Sequence, residues 1–135
     1  MRTFVDTNVV LDVLLQNEGF WWDSLKVFQL AETGRIRAYV SASSMTDIFY
    51  VARKKLTAPI AREAIERLLN LFEIVSVGGD DLRGALTVPI DDMEDALQAW
   101  SAKKADVDIL ITRDTGGFSG ISIPVATPAE FMREM

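Results

Sequence analysis

Residues 2–15, RTFVDTNVVLDVLL, decide the fold. Thr3, Phe4 and Val5 read as a short buried strand, Asp6-Thr7-Asn8 as a polar turn, and residues 9–15 as an almost wholly apolar helix, which together open an α/β unit. Asp6 therefore stands where a parallel strand ends. Ligand clefts in open α/β sheets form along that carboxyl edge, so an acid there is a candidate for chemistry. Organising the turn, or capping the helix behind it, explains the same residue equally well.

Outward from this unit the same alternation repeats. Residues 20–33 read as a second helix stopped by Gly34, with Phe20, Trp21 and Trp22 at its start suited to core packing rather than to a binding surface. Ala38-Tyr39-Val40 reads as a second strand. Ser43 or Ser44 then caps a helix whose apolar stripe is Met45, Ile48, Phe49, Ala52 and Leu56. Asp47 falls in the first turn of that helix on its opposite face, near Tyr50, Val51 and Lys54, with no base four positions on to pair with it; a solvated surface acid is its plain explanation. Thr57-Ala58-Pro59 marks a break, and Pro59 suits the first turn of a helix that runs to about Phe72. Residues 74–77 form a third strand ended by Gly78-Gly79, and residues 80–86 a short helix.

Residues 89–96, PIDDMEDA, hold the densest acid cluster in the chain. Asp91 and Glu94 have capping-box spacing, and Met93, Ala96, Leu97 and Trp100 make the core stripe of the helix that follows. Asp92 and Asp95 share a face of its first turn. A helix N-terminus favours one or two acids, but four repel one another on neighbouring turns. Residues 107–112, VDILIT, form a buried strand, and Asp114 before Gly116-Gly117 suits a turn. Residues 123–125 make a last edge strand, and Thr127-Pro128 opens a C-terminal helix. The order is βααβααβαα, which predicts a three-layer α/β/α domain with a central, mostly parallel sheet of four to five strands.

At 135 residues the chain fits one domain spanning residues 1–135. Hydrophobic residues make up 49% and charged residues 25%, as in ordered globular proteins rather than disordered ones. No apolar run is long enough for a membrane span and the N-terminus has no signal-like pattern, which predicts a cytoplasmic protein without membrane contact. Cysteine and histidine are both absent. That excludes disulfides, thiol nucleophiles, Ser-His-Asp triads, histidine bases and most transition-metal sites. Twenty acids against fourteen bases give a net charge of −6, which opposes loose binding to a polyanion. A nucleic-acid enzyme of this composition needs a basic rim or metal ions.

Asp6, Asp95 and Asp114 all belong to strand ends or to the helix starts beside them, and Asp47 is placed to join them. Two carboxylates at 4 Å repel by about 4 kcal/mol at an effective dielectric of 20, so such a cluster calls for a cation. Mg2+ or Mn2+, hard ions that take oxygen ligands, suit it.

In this order and spacing, Val5-Asp6-Thr7-Asn8-Val9, an acid near residue 47, Asp92-Met93-Glu94-Asp95-Ala96, and Ile111-Thr112-Arg113-Asp114 with Phe118 after it resemble a PIN-domain nuclease. The likeness is to the small single-domain bacterial and archaeal members, among them the VapC-type toxins, and runs over essentially the whole chain. It implies that Asp6, Asp95 and Asp114 bind metal, and that Asp47 joins them in catalysis where the family more often carries the longer Glu. It makes Asn8 and Thr112 polar residues that orient a ligand or water, and Asp92 an additional acid found in part of the family. The implied reaction is hydrolysis of an RNA phosphodiester with one or two Mg2+ or Mn2+ ions, two ions standing about 3.5–4 Å apart. In-line attack then leaves a 5′-phosphate and a 3′-hydroxyl.

The likeness further implies a cognate antitoxin over the acidic cleft and a homodimer. Candidate phosphate contacts are Arg53, Lys54, Lys55 and Arg113, with Arg62, Arg67, Lys103 and Lys104 as further bases, though solvated helix faces account for any one of them. Two rivals remain. A haloacid-dehalogenase-like phosphatase needs a second acid two residues after the first, where this chain has Asn8, and a receiver domain fails on a similar acidic pair. A PIN fold that binds RNA or protein without catalysis is the non-enzymatic alternative.

Overall fold

The computed structural model describes residues 1–135. Five strands, β1 (Arg2–Val5), β2 (Arg37–Ser41), β3 (Glu73–Val75), β4 (Ile109–Ile111) and β5 (Val125–Ala126), form one sheet in the order β3-β2-β1-β4-β5. All four pairings are parallel. Seven helices flank the sheet: α1 (Thr7–Leu14), α2 (Trp21–Glu32), α3 (Ala42–Lys55), α4 (Ala58–Leu71), α5 (Gly79–Ala85), α6 (Met93–Lys104) and α7 (Pro128–Glu134), with a 3-10 turn over Thr115–Phe118. No helix is long and apolar enough to cross a membrane.

The period-two alternation of the strands sorts the core into two layers. Phe4, Tyr39 and Leu110 stand in register across three strands and pack with Ala99 and Ala102 of α6. Val5, Ala38, Val40, Ile109 and Ile111 face the other way, against α1, α2, α3, α4 and α7. Helix α1 is apolar nearly all round because it is enclosed: it packs on both α2 and α3, and Val9 and Val10 are fully buried. The chain winds from β1 through β2 to β3 with α1–α4 on one face, then returns through α5 and α6 on the other to place β4 beside β1. Strand order therefore reverses at β1 and β4, and a crevice opens beyond their carboxyl ends.

Several local expectations shift. Helix α1 begins at Thr7, with Asp6 as its N-cap. The cap of α3 is Ser41, not Ser43 or Ser44: its hydroxyl accepts from the Ser44 N–H at 3.2 Å. This start places Asp47 in the second turn of α3 rather than the first. Of the α3 stripe, Met45, Ile48 and Ala52 are buried, but Leu56, where the chain leaves the helix, is exposed. Strand β3 lies one residue earlier than expected and ends sooner, and β5 lies later.

The aromatic trio does not enter the core: Phe20 is 44% and Trp22 60% exposed. The inward face of α2 is set by Ser24, Val27, Phe28 and Leu30, so Trp22 falls with Gln29 on the outward face, and Phe20 precedes the helix. Met93 is likewise exposed, because as the first residue of α6 it lies ahead of the buried Ala96, Leu97 and Ala99.

Candidate active site

Asp6 is the anchor of the crevice. Its N–H donates to the Ile111 carbonyl at 2.9 Å, extending the β1–β4 ladder by one residue, and the residue is only 7% exposed. Carboxylate Oδ1 accepts from the Thr7 N–H and from the Gln98 amide, both at 2.8 Å. Oδ2 accepts from the Thr112 hydroxyl at 2.8 Å. Three of roughly four lone-pair directions are thus engaged, and one on Oδ2 is left open. Capping α1 and facing the crevice are one arrangement, not alternatives.

Thr112 is completely buried and relays this order to the next acid. Its hydroxyl, donating to Asp6, accepts from the Asp114 N–H at 3.1 Å and, at 3.4 Å, from the Asn8 amide. Asn8 Oδ1 accepts from the Arg113 N–H at 3.2 Å. Asn8 and Thr112 together fix the 112–114 backbone against α1. Asp114 then leads into the 3-10 turn, where its carbonyl accepts from the Gly117 N–H at 3.3 Å.

Gly117 measures how close two of the acids come. A Cβ at Gly117 would stand 3.0 Å from Asp95 Oδ2 and 3.1 Å from Asp114 Oδ2, so these oxygens, each about 3 Å from one point, are at most about 6 Å apart. Asp95 is the third residue of α6 and its N–H donates to Asp92 Oδ1 at 2.9 Å. The helix is therefore capped by Asp92, one residue later than the Asp91–Glu94 spacing suggested. Burial, followed by the negative charges of Asp92, Asp6 and Asp114, pushes the Asp95 carboxyl up to about 6.

Asp47 is exposed at its own position, yet it lines a cleft of about 230 Å³ shared with Asp6, Glu94, Asp95 and Gln98. A hydrogen bond to Asp47 is the largest influence raising the Glu94 carboxyl, ahead of burial and the charges of Asp47, Asp92 and Asp95. Both acids line the cleft.

Sequence reasoning missed Glu94 because the misplaced capping box gave it other employment. It missed Gln98 too, although a lone amide among Ala96, Leu97 and Ala99, three residues after Asp95, was a usable signal. A further overlooked residue is Asp12, an acid inside an apolar helix and only 1% exposed. It accepts from the Asn17 amide at 2.8 Å and pairs with Arg113 Nε at 3.3 Å, while the Arg113 guanidinium lies 4.3 Å over the Phe20 ring. Arg113 is thus held by an internal acid and an aromatic face rather than standing free for phosphate; it ties the 112–114 segment to α1.

Arg53, Lys54 and Lys55 form the last turn of α3, and none lines the cleft. Lys54 shares the Asp47 face about 10 Å along the axis, and Arg53 stacks on Tyr50 at 5.4 Å. Arg67 pairs with Glu63 and Lys104 with Asp81, each at 3.0 Å.

No three acids already converge at ligand distance on one point. The donor set nevertheless fits a hard divalent cation that retains waters: all the donors are oxygens, Asp6 is preset with one lone pair open, Asp95 lacks any countercharge, and Gly117 keeps the space between Asp95 and Asp114 clear.

Residues 2–116 match the family model described as the PIN domain. Solved structures similar to the whole chain include VapBC2 from Rickettsia felis bound to a promoter DNA fragment, with TM-score 0.71 and 15% identity over 94% of this chain and 98% of that one. A toxin–antitoxin complex from Klebsiella pneumoniae aligns with TM-score 0.67 and 22% identity over 93% and 97%. VapC20 from Mycobacterium tuberculosis, a toxin that cleaves the sarcin-ricin loop, aligns with TM-score 0.70 and 13% identity over 88% and 95%. No curated protein matches the sequence.

Proposed function

The chain belongs to the PIN-domain family, and on that premise we propose that it is a divalent-metal-dependent ribonuclease, one domain over its 135 residues, acting as the toxin of a toxin–antitoxin pair. The observation that carries this reading is the convergence of the acids at the carboxyl edge of the sheet: Asp95 and Asp114 each place an oxygen about 3 Å from one point at Gly117, Asp6 and Asp95 line one cleft, and Asp95, pushed up to about 6 by burial and its acidic neighbours, has no cationic group beside it. A purely structural acid cluster would be neutralised by lysine or arginine; this one is left for a cation from solution.

In this reading Asp6, Asp95 and Asp114 hold Mg2+ or Mn2+, one ion or two, and Asp47 completes the acid set. Bound there, the cation supplies Lewis acidity, making water a competent nucleophile at neutral pH and offsetting charge on the phosphate. The chain's own groups supply order. Thr7, Gln98 and Thr112 hold the Asp6 carboxylate in one orientation. Thr112 and Asn8 fix the backbone that presents Asp114. Glu94, raised above the ordinary glutamate range by its hydrogen bond to Asp47 and by burial, takes up a proton more readily than a free carboxyl, which lowers the charge an incoming phosphodiester meets. Hydrolysis in this geometry leaves a 5′-phosphate and a 3′-hydroxyl.

Several of the structural relatives are toxin–antitoxin complexes, which supports a small antitoxin partner. A basic side chain of that partner entering the acid cleft would inhibit by charge complementarity. We also place the protein in the cytoplasm as a homodimer. The deciding experiment titrates Mn2+ into the wild type, Asp6→Asn and Asp95→Asn by calorimetry and assays the same samples on structured RNA. Binding and cleavage lost together in both variants are the expected result. A wild type that binds no Mn2+ overturns the nuclease reading and leaves a binding module.

A further inference from the structure

Gln98 lines the acid cleft with a buried amide whose two ends are treated differently. It is 5% exposed on α6, one turn after Asp95. Its Nε2 donates to Asp6 Oδ1 at 2.8 Å and also lies 3.1 Å from Ser44 Oγ and 3.4 Å from Thr7 Oγ1. Those hydroxyls are themselves bound: Thr7 Oγ1 donates to Ser44 Oγ at 2.8 Å, and Ser44 Oγ lies 2.9 Å from Ser41 Oγ. The network joins the ends of β1 and β2 to α6. It also sets the amide orientation, because the reverse one would press a carbonyl oxygen against the Asp6 carboxylate.

The other end is an anomaly. Gln98 Oε1 is buried with no hydrogen-bond partner, although the side chain lines the cleft beside Asp6, Glu94 and Asp95. A buried unpaired carbonyl is costly, and a leucine or methionine on this otherwise apolar stretch of α6 would avoid it. Resting on the reading given above, we propose that Gln98 is a positioning residue for the metal site: its nitrogen holds Asp6 Oδ1 so that Oδ2 faces the cation, and its oxygen accepts from a water ordered in the cleft. The bonds that tie α6 to β1 and β2 use only the nitrogen and leave the oxygen without a structural partner. The interaction acts through Asp6 and through water, as supporting partners of metal ligands commonly do.

The test measures Mn2+ affinity by calorimetry and melting temperature without metal for the full chain, comparing wild type, Gln98→Met, Gln98→Asn and Ser101→Ala. Gln98→Met keeps the length and removes both polar ends; Gln98→Asn keeps the amide but is one methylene too short to reach Asp6. Both are expected to weaken Mn2+ binding about tenfold or more. Gln98→Met should do so with little change in metal-free melting temperature, because loss of the bond to Asp6 and removal of the orphan carbonyl act in opposite directions. Ser101, also buried and unpartnered on α6 but outside the cleft, is the control, and its alanine variant should bind Mn2+ as wild type does. Wild-type affinity in both Gln98 variants overturns this inference alone. A loss matched by Ser101→Ala overturns it as well, by assigning the effect to helix packing. Absence of Mn2+ binding by the wild type removes the metal reading and this inference with it.

Discussion

Asp81 and Asp95 occupy the same place in consecutive helices, the third residue of α5 and of α6, and those helices pack against each other. Their surroundings are opposite. Asp81 accepts from the Gly78 N–H at 2.8 Å, from Lys104 Nζ at 3.0 Å and from the Trp100 indole N–H at 3.1 Å, and these donors hold its carboxyl down at about 2. Asp95 has three acids for neighbours and stands at about 6. A helix N-terminus favours both carboxylates to a similar degree, so the macrodipole does not separate them. Donors do. Asp81 is an acid the fold has satisfied, pinning α5 to α6; Asp95 is an acid the fold has left wanting, at some expense of stability, beside two others at the carboxyl edge of the sheet.

The sharpest way to break this contrast is to exchange each acid for its amide. Asp95→Asn is expected to lower RNA cleavage and Mn2+ affinity by more than about 100-fold, beyond the range typical of residues that merely support a ligand. Asp81→Asn should leave both at the wild-type level. Calorimetry and a gel assay on the same preparations decide it, and an active Asp95→Asn protein would make the two acids equivalent.

A smaller effect is expected at Gly117. Its missing Cβ is what lets the Asp95 and Asp114 carboxylates approach, for a methyl group there would lie 3.0 and 3.1 Å from their oxygens. Gly117→Ala should therefore weaken Mn2+ binding about tenfold, as perturbed ligand placement does. Its metal-free melting temperature should change little, because the atoms that must yield are the mobile ends of two side chains. Unchanged affinity would mean that these acids do not share a cation.

How much of this was legible beforehand differs between fold and site. The parallel sheet was readable because buried strands and amphipathic helices carry their periods in the sequence, and Asp6 and Asp114 announced themselves by following apolar strands. Strand register and order were not readable, since they depend on which apolar faces meet. The capping frame of α6 failed by one residue because Asp91 and Asp92 are chemically identical caps, and only the backbone decides between them. That slip hid Glu94. The exposed Phe20 and Trp22 were misjudged for a different reason: bulk predicts burial only on average, and the phase of α2 turned them outward. Gln98 needed the fold itself, because its partner Asp6 lies 92 residues away in the chain.

pH sharpens the contrast further, and here the sign matters. A cation competes with the Asp95 proton, so Mn2+ affinity should fall about tenfold per unit as pH drops below about 6. Asp81, ionised down to about 2, contributes nothing to that slope. An affinity flat from pH 7 to 5 would show that Asp95 is not the titrating ligand.

The smallest expected effect is on stability without metal, and it gives the two acids opposite signs. The folded value for Asp95 lies above that of the unfolded chain, so its contribution is fully present below about pH 4 and is lost as pH rises through about 6. At pH 7 the wild type carries this destabilisation and Asp95→Asn does not. The amide should be more stable by about 1 kcal/mol once screening of this partly exposed group is allowed for, or about 3 °C in melting temperature. Asp81 has the reverse linkage: its contribution is present above about pH 4 and is lost only as pH falls through about 2, so Asp81→Asn should melt lower than wild type at pH 7. The two variants should therefore bracket the wild type at pH 7. At pH 4 Asp95 is protonated in the folded state and about half protonated in the unfolded one, so most of the difference is gone and its variant should come close to the wild type, while Asp81→Asn stays below. Melting curves at the two pH values, in chelator, separate an acid that builds the fold from one the fold tolerates; an Asp95→Asn protein that melts lower at pH 7 would reveal a donor to Asp95 and end the distinction.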